Sequence, residues 1–132
     1  MIPEIFWLSL ALSASLLASF PYVLNRIAVR GLGGTIANPA PDDAPLAAWA
    51  QRAQRAHANA IENLAVFAPA VLAVVALHRE NEATAAACAT YVGARLLHYL
   101  VYTWGIPGLR TAAFLMGWGA TAVLIARTLG AL

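Results

Sequence analysis

Four long apolar runs constrain the fold of this chain more than any other feature. They cover residues 5–29, 64–77, 83–104 and 112–129 of 132. A helix needs about 20 residues to cross the hydrocarbon core of a bilayer. The first and third runs reach this length outright, the fourth is long enough, and the second reaches it if its helix starts near Trp49. The sequence therefore predicts an all-α membrane protein, a bundle of four transmembrane helices.

The composition agrees with a membrane location. Of the residues, 61% are hydrophobic and 11% are charged, with a mean hydropathy of +0.70, whereas soluble domains contain about 25% charged residues. Four helices leave little chain for a soluble part, so we expect a single integral-membrane four-helix domain over residues 1–132. The helices are expected at about 3–30, 46–77, 83–104 and 109–129.

The first apolar run is expected to remain as a membrane span. It is longer than the apolar region of a signal peptide, and Glu4 rather than a basic residue precedes it. Pro21 is expected to kink this helix, because proline removes a backbone hydrogen bond. The glycines between residues 31 and 34 are expected to end it.

The distribution of arginine indicates the orientation in the membrane. All eight basic residues are arginines. Five lie near the end of the bundle that has the loops 31–48 and 105–108, which we call the loop end: Arg26, Arg30, Arg52, Arg55 and Arg110. A sixth, Arg95, is expected one to two helical turns farther in. The other end has Arg79 and Arg127, offset by glutamates. By the positive-inside rule the loop end is cytoplasmic and both termini lie on the opposite side, and we expect a bacterial inner membrane.

Polar side chains on all four predicted helices converge on the loop end. The second helix carries one stripe about 100° wide, at 100° per residue: Arg52, Arg55, Asn59, Glu62 and Asn63. The third helix carries another stripe: Tyr91, Arg95, His98 and Tyr102. The first helix ends with Arg26 and Arg30, and the fourth begins with Arg110 and Thr111. These groups are therefore expected to meet at one membrane depth.

Such groups are costly inside a bilayer unless they are paired, hydrated or bound to a ligand. Near the loop end six arginines face one intramembrane carboxylate, Glu62, which favours an anionic ligand. Arginine binds carboxylate or phosphate through two parallel hydrogen bonds, while Glu62 and Asn59 could hold an ammonium or amide group. The pattern favours an acidic, peptide-like ligand with a free amine. The alternative interpretation is structural. In it, the arginines extend to the lipid headgroups, and the polar side chains form hydrogen bonds between helices.

Other chemistries fit the sequence less well. No histidine, cysteine and carboxylate cluster has zinc spacing, and His57 and His98 lie on different helices beside arginines, so no metal is expected. Neither a nucleophile elbow nor a glycine-rich phosphate loop occurs. Nucleic acid is not expected as a partner, because the basic groups lie at helix ends. Cys88, the single cysteine, is interpreted as a buried, inert thiol.

The joint pattern resembles the MAPEG family, the membrane-associated proteins in eicosanoid and glutathione metabolism. Its hallmark on the second helix, R-x-x-R-x-x-x-N-x-x-E, is matched by Arg52, Arg55, Asn59 and Glu62. A His-x-x-x-Tyr motif is matched by His98 and Tyr102, and a following Pro-x-x-Arg-Ser/Thr by Pro107, Arg110 and Thr111. The resemblance covers nearly the whole chain.

The resemblance implies a homotrimer that binds glutathione, as co-substrate, between neighbouring subunits at the cytoplasmic side. The residues that it implies as glutathione ligands are Arg30, Arg52, Arg55, Asn59, Glu62, His98, Tyr102 and Thr111. Arg110 would be the catalytic residue that stabilises the thiolate and directs it toward a lipophilic electrophile. The implied enzyme is a glutathione transferase or peroxidase with membrane lipids around it.

Two positions depart from the family pattern. Ala58 stands where glutathione-using members often carry arginine, and Phe114 stands where some carry tyrosine. Because of these departures, the thiol substrate could be one other than glutathione. They also leave an alternative function, a non-catalytic membrane protein that binds an anionic lipid or metabolite in the same cavity. A small multidrug exporter matches the length, but such exporters carry an acid within the first helix, and here Glu4 is terminal.

Overall fold

A computed structural model describes all 132 residues and contains helices and no strand. The helices are α1 (Pro3–Leu17), α2 (Phe20–Ile36), α3 (Ala48–Ala76), α4 (Glu82–Trp104) and α5 (Pro107–Leu129). α1 and α2 are two parts of one 34-residue stretch, which corresponds to the first predicted helix. α3, α4 and α5 correspond to the second, third and fourth. The predicted all-α architecture of four helices is therefore confirmed.

The first helix is interrupted where Pro21 was expected to kink it. Proline has no N–H for the carbonyl four residues earlier, and helical hydrogen bonding lapses at Ala18 and Ser19. The Tyr99 hydroxyl of α4 donates to the Ala18 carbonyl at 2.8 Å, so a neighbouring helix satisfies a carbonyl at the break. A second interruption follows at Gly31, with φ +69° and ψ 173°, before the helix resumes for a last turn to Ile36.

Three helical stretches are long and apolar enough to cross a membrane: Pro3–Ile36, Ala48–Ala76 and Pro107–Leu129. α4 has the length expected of a span but is not among the three, because Arg95, His98 and three tyrosines lower its apolarity. Its 23 residues nevertheless rise about 35 Å at 1.5 Å per residue. α4 contacts α1, α3 and α5, so its polar side chains are covered by neighbouring helices.

The core lies between α1, α3, α4 and α5. Phe67 of α3 stacks on Tyr91 of α4 with ring centroids 3.6 Å apart, and Leu8 and Leu124 pack around this pair. Only 25 of 132 residues are buried, and large apolar side chains cover much of the outer surface. An apolar surface of this extent is typical of a helix bundle in lipid.

Glu4 fastens α1 to α4 at the end opposite the loop end. Its side chain is 1% exposed, and the Thr84 hydroxyl lies 2.5 Å from Oε1. Thr84 also forms a capping box with Asn81 at the start of α4, which satisfies backbone N–H groups that the helix leaves free. Glu4, which the sequence shows only as a terminal acid, is therefore a buried side chain that joins two helices.

Two arginines at the same end of the bundle donate hydrogen bonds to carbonyls at the ends of α3 and α5. Arg79 donates to the carbonyls of Arg127 and Thr128 at 3.0 and 2.9 Å, and Arg127 donates to the Arg79 carbonyl at 2.9 Å. These bonds satisfy carbonyls that a helix leaves free at its C-terminus. The two arginines are therefore occupied by backbone at the end away from the other cationic side chains.

Candidate functional site

A polar pocket of about 200 Å³ opens between α3, α4 and α5 at the loop end. Six residues line it: Asn59, His98, Tyr102, Arg110, Thr111 and Phe114. The first five are predicted site residues that come from three helices. The structure thus brings together Arg110, the residue implied as catalytic, and four of the eight residues implied as glutathione ligands.

The local sequence explains how these side chains meet. His98 and Tyr102 are four residues apart on α4 and so share one face, with ring centroids 5.6 Å apart. Gly105, with φ +81°, ends α4 in a left-handed turn that favours glycine. Pro107 then begins α5, a position that proline favours, so Arg110 emerges from the first turn of α5 beside the end of α4.

The polar atoms of the pocket are largely without partners in the chain. The Arg110 guanidinium lies over the Tyr102 ring, with Cζ 4.6 Å from the centroid. Its side chain makes no salt bridge, since the single ion pair joins Arg30 and Asp43. The His98 imidazole and the Tyr102 hydroxyl also make no hydrogen bond within the chain. The pocket therefore presents a cation, an imidazole and a phenol to a ligand.

Thr111 and Arg52 already make hydrogen bonds to backbone. The Thr111 hydroxyl donates to the Pro107 carbonyl at 3.2 Å. Arg52 donates from Nε to the Thr103 carbonyl at 2.8 Å, which places it beside the C-terminus of α4 rather than in the pocket lining. Its two terminal nitrogens make no hydrogen bond within the chain, so they remain available to a ligand.

Arg30 does not line the pocket. Its Nη1 donates to Asp43 Oδ2 at 2.7 Å and its Nε to the Ala44 carbonyl at 2.8 Å. Arg30 therefore fastens the loop between α2 and α3. The physical reason is that a carboxylate in the loop neutralises this arginine within its own chain.

Arg55 and Glu62 also lie outside the pocket of one chain. They are seven residues apart, two turns of helix, so they share a face of α3. Both side chains are exposed, as are Val66 and Pro69 on the same face, and neither Arg55 nor Glu62 makes a side-chain hydrogen bond within the chain. This face of α3 is available for contact with another molecule.

Arg95 was expected on the polar stripe of α4 but is not among the residues that the resemblance implies as glutathione ligands. It is 8% exposed and donates to Asn59 Oδ1 at 3.3 Å and to the Phe114 carbonyl at 3.0 Å. Asn59 and Phe114 both line the pocket, so Arg95 lies directly behind it. The signal in the sequence is its spacing of three residues before His98 on one polar stripe.

A larger, apolar cavity of about 390 Å³ lies between α1, α3 and α4. Most of its lining is apolar, including Leu10, Leu17 and Val92, and Arg95 contributes to the wall. Because Arg95 also hydrogen-bonds two residues of the polar pocket, the two cavities adjoin at its side chain. The apolar cavity has the size and lining of a small-molecule site.

Comparison with known proteins gives one match. The MAPEG family model matches residues 5–130 of the chain, a range that includes almost all of α1 and the whole of the other helices. No curated protein and no solved structure matches the chain. The match covers the three helices that form the polar pocket.

Proposed function

The chain belongs to the MAPEG family of membrane proteins, and from this membership we propose that it is a membrane-embedded glutathione transferase- or peroxidase-like enzyme. Glutathione is the proposed co-substrate, and a lipophilic electrophile from the bilayer is the proposed partner. The observation that carries the proposal is the convergence of Arg110, His98 and Tyr102, without partners of their own, in one pocket.

Arg110 is the proposed catalytic residue. A guanidinium beside a thiol favours the thiolate over the neutral form, and the thiolate is the stronger nucleophile. Arg110 is half-buried at the polar pocket, and a fixed positive charge placed where a negative charge develops stabilises it. Because no carboxylate pairs with Arg110, the bound thiolate would be its partner.

Two reactions of the thiolate fit this site. In conjugation, sulfur attacks an electrophilic carbon, an S–C bond forms, and the leaving group departs with the bonding electrons. In hydroperoxide reduction, sulfur attacks the terminal oxygen, an S–O bond forms and the O–O bond breaks. The alkoxide takes a proton to become an alcohol. A second glutathione then converts the sulfenic acid to the disulfide and water.

The apolar cavity supports a lipophilic electrophile as the second substrate. Its wall is formed largely by apolar side chains of α1 and α4, so a hydrocarbon body would lose its contact with lipid at little cost. Lipid hydroperoxides are one class with such a body and a reactive oxygen. The contact of both cavities with Arg95 would bring such a molecule near the thiol site.

We also propose that the protein works as a homotrimer. A cavity of about 200 Å³ is smaller than the roughly 300–1,000 Å³ of typical ligand sites, so further walls are needed to enclose a tripeptide. The exposed Arg55 and Glu62 of a neighbouring chain could supply them. The loop end, rich in arginine, is proposed to face the cytoplasm of a bacterial inner membrane.

Calorimetric titration of the full chain in detergent with glutathione tests the proposal. We expect saturable binding, together with a rise in thiolate ultraviolet absorbance that S-methylglutathione does not produce. If glutathione fails to bind and an anionic phospholipid binds instead, the non-catalytic lipid-binding alternative holds.

Arg110→Ala is expected to lower glutathione-dependent turnover about 100-fold or more, because it removes the group that stabilises the anion. Turnover is measured with a lipid hydroperoxide in detergent. Arg127→Gln is the control, since Arg127 lies at the far end and bonds to backbone. Full turnover in the Arg110 variant would remove this residue from the catalytic assignment.

A further inference from the structure

Arg95 carries a buried positive charge that no carboxylate of the chain neutralises. Its side chain is 8% exposed, and the one ion pair of the chain lies elsewhere. A guanidinium has five N–H donors, but Arg95 makes two hydrogen bonds, and its buried Nε has no partner. A buried charge without a counter-ion is costly in a membrane bundle, which indicates a function for it.

The fold makes specific room for this guanidinium. A Cβ at Gly117 of α5 would lie 2.5 Å from Nη2 and 2.7 Å from Nε of Arg95, so any side chain there would displace it. The rings of Tyr91 and Phe114 lie 5.5 and 5.3 Å from Cζ, within the range of cation–π attraction. Gly117 and the two aromatic rings thus form the packing site of the guanidinium.

The charged and titratable groups around Arg95 include no acid. α4 contributes Tyr91 and His98, α5 contributes Arg110 at the pocket, and α3 contributes the uncharged Asn59. The α1 residues of the adjoining apolar cavity are not ionisable. A negative charge near Arg95 must therefore come from outside this chain, and an anion bound in the polar pocket is one source of it.

We propose that Arg95 is a further positioning residue, which orients Asn59 and the backbone at Phe114 and balances the charge of the thiolate in the polar pocket. It acts on the ligand through these two lining groups and through its field. The proposal rests on the proposed function, because it takes glutathione as the ligand of the pocket. Arg110 lines the pocket and would contact the ligand, whereas Arg95 lies behind the lining residues Asn59 and Phe114.

The first test compares Arg95→Gln and Arg95→Lys with the wild type, each as full chain in detergent. Glutathione affinity is measured by calorimetry, and the pH midpoint of thiolate formation by ultraviolet absorbance. Arg95→Gln is expected to weaken binding about 10- to 100-fold and to move the midpoint to higher pH. Arg95→Lys keeps the charge and is expected to keep the midpoint close to that of the wild type.

The second test leaves Arg95 in place and alters the packing site of its guanidinium at Gly117. Gly117→Ala is expected to weaken binding about tenfold and to raise the midpoint, because the new Cβ displaces the guanidinium. Gly119→Ala is the matched control on the same helix, since a Cβ there meets nothing within 4 Å. It is expected to leave both quantities unchanged.

The outcomes separate the inference from the proposed function. A wild type that binds no glutathione overturns both. If the wild type binds, but Arg95→Gln and Gly117→Ala keep its affinity and midpoint, the inference alone is overturned. A role in folding alone would lower the melting temperature of the ligand-free protein without moving the midpoint, and that result also contradicts the inference.

Discussion

The arginines at the loop end differ in what neutralises or holds them. Arg30 is paired with Asp43, and Arg52 is held by the Thr103 carbonyl. Arg110 contacts an aromatic ring instead of an anion, and Arg95 has only neutral hydrogen-bond acceptors. An arginine that is already paired gains less binding energy from a ligand. The contacts of each arginine therefore indicate its role better than the number of arginines at this end does.

Phe114→Tyr is expected to strengthen glutathione binding about 2- to 10-fold, since one added hydrogen bond contributes about 0.5–1.5 kcal/mol. Phe114 lines the polar pocket, so the added hydroxyl would meet a ligand there. The dissociation constant is measured by calorimetry. Phe6→Tyr, at an exposed position near the opposite end, adds the same group away from the pocket. Equal effects of the two variants would contradict the prediction.

Much of the pocket lining could be predicted from spacing along helices. Residues four apart share a face, which is why His98 and Tyr102 were expected together. The pairing of Arg30 with Asp43 could not be predicted, because it depends on the path of the loop. Arg95 was visible on the polar stripe, but only its contacts with Asn59 and Phe114 place it behind the pocket.

At the scale of helices, turns and ties between elements determine where the polar groups meet. Gly105 allows α5 to begin next to the end of α4, and Arg52 lies across this turn, where a Cβ on Gly105 would be 3.3 Å from its Nε. The pocket therefore depends on the connection between two helices as much as on their sequences.

Gly105→Ala is expected to destabilise the protein by about 1–2 kcal/mol, because alanine is disfavoured at the left-handed φ of +81°. The melting temperature in detergent measures the effect. Gly108→Ala is the control, because a Cβ there meets nothing within 4 Å and its φ is not in the left-handed range. Identical melting temperatures for the two variants would show that the turn is not constrained in this way.

Thr84→Val is expected to destabilise the protein by about 1–3 kcal/mol, because it leaves the buried Glu4 carboxylate without its hydroxyl partner. It also removes the side-chain bond to the Asn81 N–H. Thr90→Val is the matched control, since Thr90 is exposed on the same helix. Chemical unfolding in detergent gives the difference, and a loss no greater than that of the control would contradict this role.

The helices themselves were partly predictable. Pro21 and Gly31 mark the two interruptions of the first helix because proline and glycine change the backbone directly. The apolar length of the first, second and fourth runs was sufficient evidence for helices that could span a membrane. Apolarity alone does not identify α4 as a span. Its own sequence is less apolar, and neighbouring helices cover its polar side chains instead.

At the scale of the whole molecule, the two ends of the bundle are chemically different. The far end is closed by Arg79, Arg127 and Glu4, whose side chains bond to backbone or to Thr84. The loop end has the polar pocket and cationic groups without acidic partners. This asymmetry agrees with a ligand that enters from one side of the membrane, and it gives a testable topology.

Single cysteines introduced in a Cys88→Ala background test this topology. Ala40→Cys, in the loop after α2, is expected to react with an impermeant maleimide only from the cytoplasmic side of oriented vesicles. Glu82→Cys, at the exposed start of α4, is expected to react only from the other side. Labelling of both positions from one side would contradict a membrane-spanning α3.

α1 is joined to α4 on either side of the apolar cavity's length, by Glu4 with Thr84 and by Ala18 with Tyr99. These two hydrogen bonds fix the position of α1 relative to α4 near both ends of the cavity. A hydrocarbon guest could then enter and leave by diffusion from the lipid, with no helix required to swing aside.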